Sequence, residues 1–114
     1  MAELTLYGLK TCDTCRKAIK ALTEAGHAVQ VIDVRADGIP REKLDMWVSE
    51  HGPALVNTRS TTWRGLDATS RALSETDTAA LLAEHPTLMK RPVIEREGAA
   101  TVGWLKPVQG GYGL

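Results

Sequence analysis

The first 34 residues follow the pattern of a strand, a helix and a second strand. Residues 4–7 are apolar and end at Gly8, and residues 28–34, AVQVIDV, are rich in β-branched side chains. Two strands joined through one helix run parallel, because the helix returns the chain to the same end of the sheet. The helix is indicated by apolar residues that recur at helical spacing and stop before a glycine: Cys15, Ala18, Ile19, Leu22 and Ala25.

The middle of the chain is predicted to be helical. Pro40 suits the first turn of a helix that Gly52 ends. Residues 57–67 are polar and have no clear period. Ser74 is expected to cap a further helix over residues 75–85, because the sequence that follows it is close to a capping box.

The composition favours a single globular domain and gives no charge that would attract nucleic acid or a membrane. The 114 residues are 43% apolar and 25% charged, with a formal net charge of zero. The N-terminus lacks the basic and apolar regions of a signal peptide, and no apolar run approaches the about 20 residues that a membrane span needs. We therefore expect a cytoplasmic monomer that contacts neither nucleic acid nor membrane directly.

Both cysteines lie in the stretch T-C-D-T-C-R-K-A, at the turn from the first strand into the first helix. In a reducing compartment a close pair favours redox chemistry or metal binding over a structural disulfide. Cys12 is expected at the helix N-terminus, where free N–H groups and the helix dipole stabilise a thiolate. Cys15, one turn inside and on the same face, suits a resolving thiol.

The charges near the pair are mixed. Lys10, Arg16 and Lys17 favour a thiolate and Asp13 opposes it, while Thr11 or Asp13 is expected to cap the helix.

Three other interpretations of the pair stay open. The cysteines could be small buried hydrophobic residues, or a disulfide staple, although so short a loop removes little entropy. A zinc site would need two more ligands, and the histidines are single and widely spaced: His27, His51 and His85. We favour the redox pair and predict no metal.

A βαβ start, a CxxC pair and a late proline before a hairpin together form the thioredoxin-like pattern. Two short apolar runs flank Glu97-Gly98, which favours an antiparallel hairpin, and the glycine-rich tail predicts no helix. In that fold a cis proline precedes the third strand and faces the active thiol, and Pro92 is the candidate.

Three separated motifs resemble the arsenate reductase (ArsC) family, including its YffB-like and Spx-like branches. They are L-Y-G-L-K-T-C-D-T-C-R-K-A, L-V-N-T-R-S-T-T-W-R-G-L-D and E-H-P-T-L-M-K-R-P-V-I, and the similarity covers nearly all of the chain to Trp104. The resemblance implies an α/β thioredoxin-like domain over residues 1–114. Its mixed four-stranded sheet would carry an all-helical insertion, about residues 40–90, between strands two and three.

The resemblance also implies roles for individual residues. Cys12 matches the nucleophile, and Arg59 and Arg91 match the arginines that hold a tetrahedral oxyanion. The family's third cation falls near Lys106, which keeps the charge but lacks the planar guanidinium. Lys10 is a further candidate for steering anions. The remaining arginines of these regions are interpreted as solvated charges: Arg64, Arg71 and Arg96.

The chain departs from arsenate reductases in three places. They commonly carry a histidine near the position of Gly8, and their second cysteine position is often Ser or Thr, where this chain has Cys15. The family's C-terminal helix is reduced to the tail GGYGL. These departures bear on arsenate as the substrate more than on thiol chemistry.

The expected function is a thiol-dependent reductase with no bound cofactor. Cys12 attacks an oxyanion or a mixed disulfide, Cys15 or glutathione resolves the adduct, and a thioredoxin or glutaredoxin regenerates the enzyme. The alternative is an Spx-like redox-sensing regulator, whose Cys12–Cys15 disulfide changes its affinity for RNA polymerase. The substrate, the physiological reductant, the oligomeric state and the pairing of Cys12 with Cys15 in the cell stay open.

Overall fold

The computed structural model describes residues 3–114, which form two compact units. The first unit combines the described residues up to Val34 with Arg91–Leu114, and the second unit is Arg35–Lys90. Within residues 3–114, no helix is long and apolar enough to cross a lipid bilayer. The expectation of a single domain over 1–114 stays a prediction, and residues 1 and 2 lie outside the described part.

The first unit is built on a four-stranded mixed sheet. Its strands are β1 (Glu3–Gly8), β2 (Ala28–Asp33), β3 (Val93–Arg96) and β4 (Ala99–Val102). Their order is β2-β1-β3-β4, with β1 parallel to β2 and antiparallel to β3, and β3 antiparallel to β4. The predicted parallel βαβ start and mixed thioredoxin-like sheet are confirmed.

The hairpin between β3 and β4 is also confirmed. Its two-residue turn consists of Glu97 and Gly98, with φ angles of 50° and 83°. Positive φ at both central residues matches the right-handed twist of the strands, and glycine adopts it without steric cost.

The core of the first unit lies between the sheet, the helix α1 (Asp13–Glu24) and the end of the chain. The helical spacing of α1 puts Cys15, Ala18 and Leu22 on its buried face. They form one cluster with Leu4, Leu6, Ile94 and Tyr112.

Tyr112 anchors the glycine-rich tail. Its hydroxyl lies 2.8 Å from the Thr101 hydroxyl and donates to the Ile94 carbonyl at 3.4 Å. The Tyr112 carbonyl oxygen lies 2.9 Å from His27 Nε2. The tail therefore packs as part of the first unit instead of trailing from it.

The second unit confirms the predicted all-helical insertion. Its helices are α2 (Val34–Asp37), whose first residue belongs to the first unit, α3 (Arg41–His51), α4 (Thr61–Arg64), α5 (Ala68–Thr76) and α6 (Thr78–Glu84). Leu44 and Trp47 of α3 are fully buried, and α3 packs against α6. Single 3₁₀ turns follow α3 and α6, at Gly52–Leu55 and Pro86–Leu88.

The prediction of a helix over 75–85 places the start of that helix wrongly, because α6 begins at Thr78. Asp77 has non-helical backbone angles, and its carboxylate accepts a hydrogen bond from the Ala80 N–H at 3.2 Å, so Asp77 caps α6. Ser74 lies inside α5, where its hydroxyl donates back to the Arg71 carbonyl at 2.7 Å.

Two short helices were missed. The polar stretch contains α4, capped by the Ser60 hydroxyl, which accepts a hydrogen bond from the Trp63 N–H at 3.1 Å. The tail contains α7 (Lys106–Gly110), where Pro107 fits the first turn because its missing N–H needs no partner there.

Candidate active site

Cys12 is the N-cap residue of α1, the position at which a helix leaves its first backbone N–H groups without intrahelical partners. Its carbonyl accepts the first helical hydrogen bond, from the Arg16 N–H at 3.0 Å. The expected caps, Thr11 and Asp13, are therefore wrong. Because α1 begins at Asp13, that carboxylate lies inside the first turn, where it pairs with Arg16 at the exposed surface.

Several donors favour the ionised form of Cys12. Partial burial alone would raise the pKa of Cys12. The backbone N–H and thiol of Cys15, together with hydrogen bonding and positive charge from Arg91, outweigh that cost and hold the pKa of Cys12 below its ordinary value. The N–H contact is weaker than a regular cap, because Cys12 makes no side-chain capping hydrogen bond within ordinary geometric limits.

Cys15 lies in the first turn of α1 and is fully buried. Burial is the main cause that raises the pKa of Cys15 to about 11. The Leu9 backbone N–H opposes that rise, whereas the hydrogen bond to Cys12 and the charge of Cys12 add to it. Two free thiols three residues apart thus differ in acidity: Cys12 favours the thiolate, and Cys15 is a neutral donor beside it.

Arg91 reaches Cys12 from the segment that leads into β3. The Arg91–Pro92 peptide bond is cis, and Pro92 is buried. The Pro92 carbonyl accepts a hydrogen bond from the Gly103 N–H at 2.9 Å. The structure thus brings Cys12, Cys15 and Arg91 together within the first unit.

The other sequence candidates occupy exposed positions. Lys10 lies in the loop before α1, and Lys106 is the first residue of α7. Arg59 lies in the second unit, where its backbone N–H donates to Asn57 Oδ1 at 3.1 Å. Their roles in anion binding stay predictions.

Arg71 is exposed, as expected of a solvated charge, but its guanidinium also makes specific contacts with the protein. Its guanidinium donates to the carbonyls of Trp63 and Arg64 at 3.3 and 3.1 Å, and it lies 5.6 Å from the centre of the Trp63 ring. Arg71 therefore binds the last carbonyls of α4 and stacks on its tryptophan, which is a structural role.

The backbone of Leu9 is the part of the site that sequence reasoning missed. Its carbonyl accepts the Cys12 N–H at 3.1 Å, and its N–H is a donor toward the Cys15 sulfur. Any residue type except proline supplies the same two groups. Only its position, three residues before Cys12, could have indicated this role.

The side chains of the site suit sulfur chemistry. A thiolate attacks an electrophilic atom such as a disulfide sulfur, and a neighbouring thiol can then attack the first sulfur, release the bound group and leave a disulfide between the two thiols. Across residues 3–114, no three His, Cys, Asp or Glu side chains converge as a metal site would need.

Comparison with known proteins finds relatives along most of the chain. An uncharacterised protein from Haemophilus influenzae is 42% identical over 103 residues, which cover 89% of this chain and 90% of that protein. The global transcriptional regulator Spx from Bacillus subtilis is 29% identical over 106 residues, which cover 89% of this chain and 79% of Spx.

Solved structures agree with the fold. A protein named YffB matches with a TM-score of 0.86 and 37% identity, covering 96% of this chain and 97% of YffB. An arsenate reductase from Vibrio cholerae matches with a TM-score of 0.75 and 25% identity, covering 90% of each chain. The model of the ArsC family matches residues 7–106. On these grounds, the chain belongs to the ArsC family.

Proposed function

We propose that this protein is a cytoplasmic thiol-dependent reductase in which the Cys12 thiolate attacks an oxyanion or a mixed disulfide. The observation that carries this proposal is the Cys12 sulfur at the start of α1, with the Arg91 guanidinium and the Cys15 thiol as donors toward it. A lowered pKa makes a sulfur nucleophilic near neutral pH. The likeness to an arsenate reductase supports this class of reaction.

Cys15, or an external thiol such as glutathione, resolves the adduct. While Cys12 is ionised, its charge and hydrogen bond help to keep the pKa of Cys15 high. Once the Cys12 sulfur is bound in an adduct, that charge is gone and Cys15 ionises more easily. The Cys15 sulfur then attacks Cys12, a disulfide forms, and the displaced group leaves with the electron pair of the broken bond.

The substrate anion is held chiefly by Arg91, because one guanidinium can favour both the thiolate and an oxyanion that approaches it. Arg59, Lys106 and Lys10 are proposed as further cations of the anion site. A thioredoxin or glutaredoxin returns the Cys12–Cys15 disulfide to two thiols, and the reaction needs no bound cofactor.

A substrate screen tests the reductase directly. Arsenate and model mixed disulfides are supplied with glutathione or with a dithiol reductant, to wild type, Cys12→Ser and Cys15→Ser. We expect turnover by wild type, none by Cys12→Ser, and turnover by Cys15→Ser only where glutathione can resolve the adduct. Equal turnover by wild type and Cys12→Ser would overturn the proposal.

The second candidate is a redox-sensing regulator that binds RNA polymerase when Cys12 and Cys15 form a disulfide. The similarity to the transcriptional regulator Spx favours it. A pull-down of purified RNA polymerase with oxidised and reduced protein separates the two functions. Binding to the oxidised form alone, lost in Cys15→Ser and without turnover in the screen, supports the regulator. No binding in either state rejects it.

A further inference from the structure

Gly8 is the last residue of β1, and it faces the buried thiol of Cys15. A Cβ atom built on Gly8 would lie 2.5 Å from Cys15 Sγ, 3.2 Å from Leu6 Cδ2 and 3.3 Å from Cys15 Cβ, so the Cys15 sulfur is by far the tightest contact. Carbon and sulfur atoms that are not bonded do not approach to 2.5 Å, so any other residue at this position requires the sulfur to move. The space that a side chain of residue 8 would need is therefore occupied by the Cys15 sulfur, with the Leu6 side chain beside it.

The conformation of Gly8 itself does not require glycine. Its φ lies outside the left-handed region, in contrast to Gly26 and Gly98, which have φ angles of 96° and 83°. The reason for glycine at this position is thus the close approach of a side chain and not backbone strain.

The Cys15 sulfur has few other places to go. Cys15 is fully buried and packs in the cluster that contains Leu6, Ala18 and Leu22. Its side chain has one rotatable bond, and in a helix one of the three staggered positions is disfavoured. A methyl group at residue 8 would therefore drive the sulfur into another rotamer and away from its present contacts with Cys12 and the Leu9 N–H.

We propose that Gly8 is a positioning residue for the thiol pair, because the absence of a side chain there leaves the space in which the Cys15 sulfur lies beside Cys12. This inference rests on the proposed thiol chemistry. In the resolving step, the Cys15 sulfur attacks the Cys12 sulfur of a mixed disulfide with glutathione. The new S–S bond forms, and glutathione leaves as a thiolate that takes up the proton lost by Cys15.

The test compares Gly8→Ala with Gly110→Ala. A Cβ atom on the exposed Gly110 would meet no atom within 4 Å beyond its chain neighbours and the backbone of its own helix, and Gly110 has no positive φ, so its substitution controls for a glycine-to-alanine change without a clash. Two quantities are measured: the alkylation rate of Cys12 against pH, and the fraction of Cys12–Cys15 disulfide in glutathione redox buffers. Both depend on where the Cys15 sulfur lies, whereas a merely structural role would leave them unchanged in the folded protein.

We expect Gly8→Ala to slow alkylation of Cys12 at neutral pH by about three- to tenfold, because one donor to the thiolate is displaced. The disulfide should require a more oxidising buffer by a similar factor. Gly110→Ala should match wild type in both measurements. A Gly8→Ala protein that is folded and unchanged in both would overturn the inference.

A double variant shows whether Gly8→Ala changes the pKa of Cys12 by displacing the Cys15 sulfur. In Cys15→Ala the sulfur is absent, so adding Gly8→Ala should change the pKa of Cys12 no further. If Gly8→Ala alone does not fold, Gly8→Ala/Cys15→Ala should fold as Cys15→Ala does. A double variant that still fails to fold, or that shifts the Cys12 pKa, assigns Gly8 another role and overturns the inference.

The same measurements distinguish a failure of the inference about Gly8 from a failure of the proposed function. A wild-type protein that forms no Cys12–Cys15 disulfide in any buffer refutes resolution by Cys15. The Cys12 alkylation profiles of wild type, Gly8→Ala and Gly110→Ala then decide the role of Gly8 on their own.

Discussion

The start of α1 and the start of α5 place an acidic group at the same helical position, with different consequences. At α5, the Asp67 carboxylate accepts a hydrogen bond from the Ser70 N–H at 2.7 Å, and that bond lowers the pKa of Asp67. At α1, the N-cap is Cys12, whose pKa is lowered despite partial burial, in part by the Cys15 N–H. A carboxylate is ionised at neutral pH in any case, whereas a thiol is not. The same kind of backbone donor therefore fixes a helix end in one unit and helps to favour a thiolate in the other.

The largest expected effect is the difference in alkylation rate between Cys12 and Cys15, which tests whether the start of α1 favours a thiolate. At pH 7 we expect iodoacetamide to modify Cys12 at least about a hundred times faster than Cys15, because Cys15 is buried and has a pKa of about 11. Tandem mass spectrometry of the tryptic peptide over 11–16 distinguishes the two sites. The unfolded protein is the control, in which the rates should converge, and equal rates in the folded protein would refute the distinction.

The next largest effect separates the contribution of the α1 N-terminus to the pKa of Cys12 from that of the Arg91 guanidinium. Arg91→Ala should raise the pKa of Cys12 by about one unit and so reduce its thiolate about tenfold near neutral pH, because a charged donor is lost. The pH dependence of alkylation measures this. Lys20→Ala removes the same charge from the exposed part of α1 and should leave the profile unchanged. A profile that Arg91→Ala does not alter would leave α1 and Cys15 as the only causes.

In the second unit, substitution of a helix N-cap residue should change the free energy of unfolding and leave the reactivity of Cys12 unchanged. Asp77→Ala should lower the free energy of unfolding by about 1 kcal/mol, because the Ala80 N–H loses its capping acceptor. Urea denaturation measures the loss. Thr76→Ala, one residue earlier and exposed, should change stability by less than about 0.5 kcal/mol. Equal losses in both variants would contradict the assignment of Asp77 as the cap.

The smallest expected effect runs in the opposite direction at α1. Cys12→Ser should raise the free energy of unfolding by about 0.5 kcal/mol in mildly acidic buffer, because serine is a preferred N-cap residue. The gain should shrink as pH rises. The lowered pKa of Cys12 stabilises the folded wild type at high pH, and that contribution is lost as pH falls through the folded pKa. Urea denaturation over a pH series tests both the sign and the trend.

The sequence predicts the first unit better than the second, for physical reasons. Strands of β-branched residues and the spacing of Cys15, Ala18 and Leu22 give strong periodic signals, and the hairpin is marked by Glu97-Gly98. The missed α4 has only four residues, and its cap at Ser60 lies in a stretch where many side chains could serve as caps.

The site is predictable in part. The CxxC pair and its place at a strand-to-helix turn follow from local sequence, and the lowered pKa of Cys12 follows from that place. The approach of Arg91 depends on tertiary structure and was expected only from the family resemblance. The roles of the Leu9 backbone and of the bare Gly8 position depend on atomic contacts that residue types do not encode.

The anchoring of Tyr112 has a practical consequence for anyone who engineers this chain. A stretch of glycines next to the last residues invites trimming or the attachment of an affinity tag. Yet the phenol ring of Tyr112 belongs to the same apolar cluster as Cys15. Cutting the chain before residue 112 would let water reach the buried Cys15 thiol and change the reactivity of Cys15. Every residue around Cys12 would be left intact.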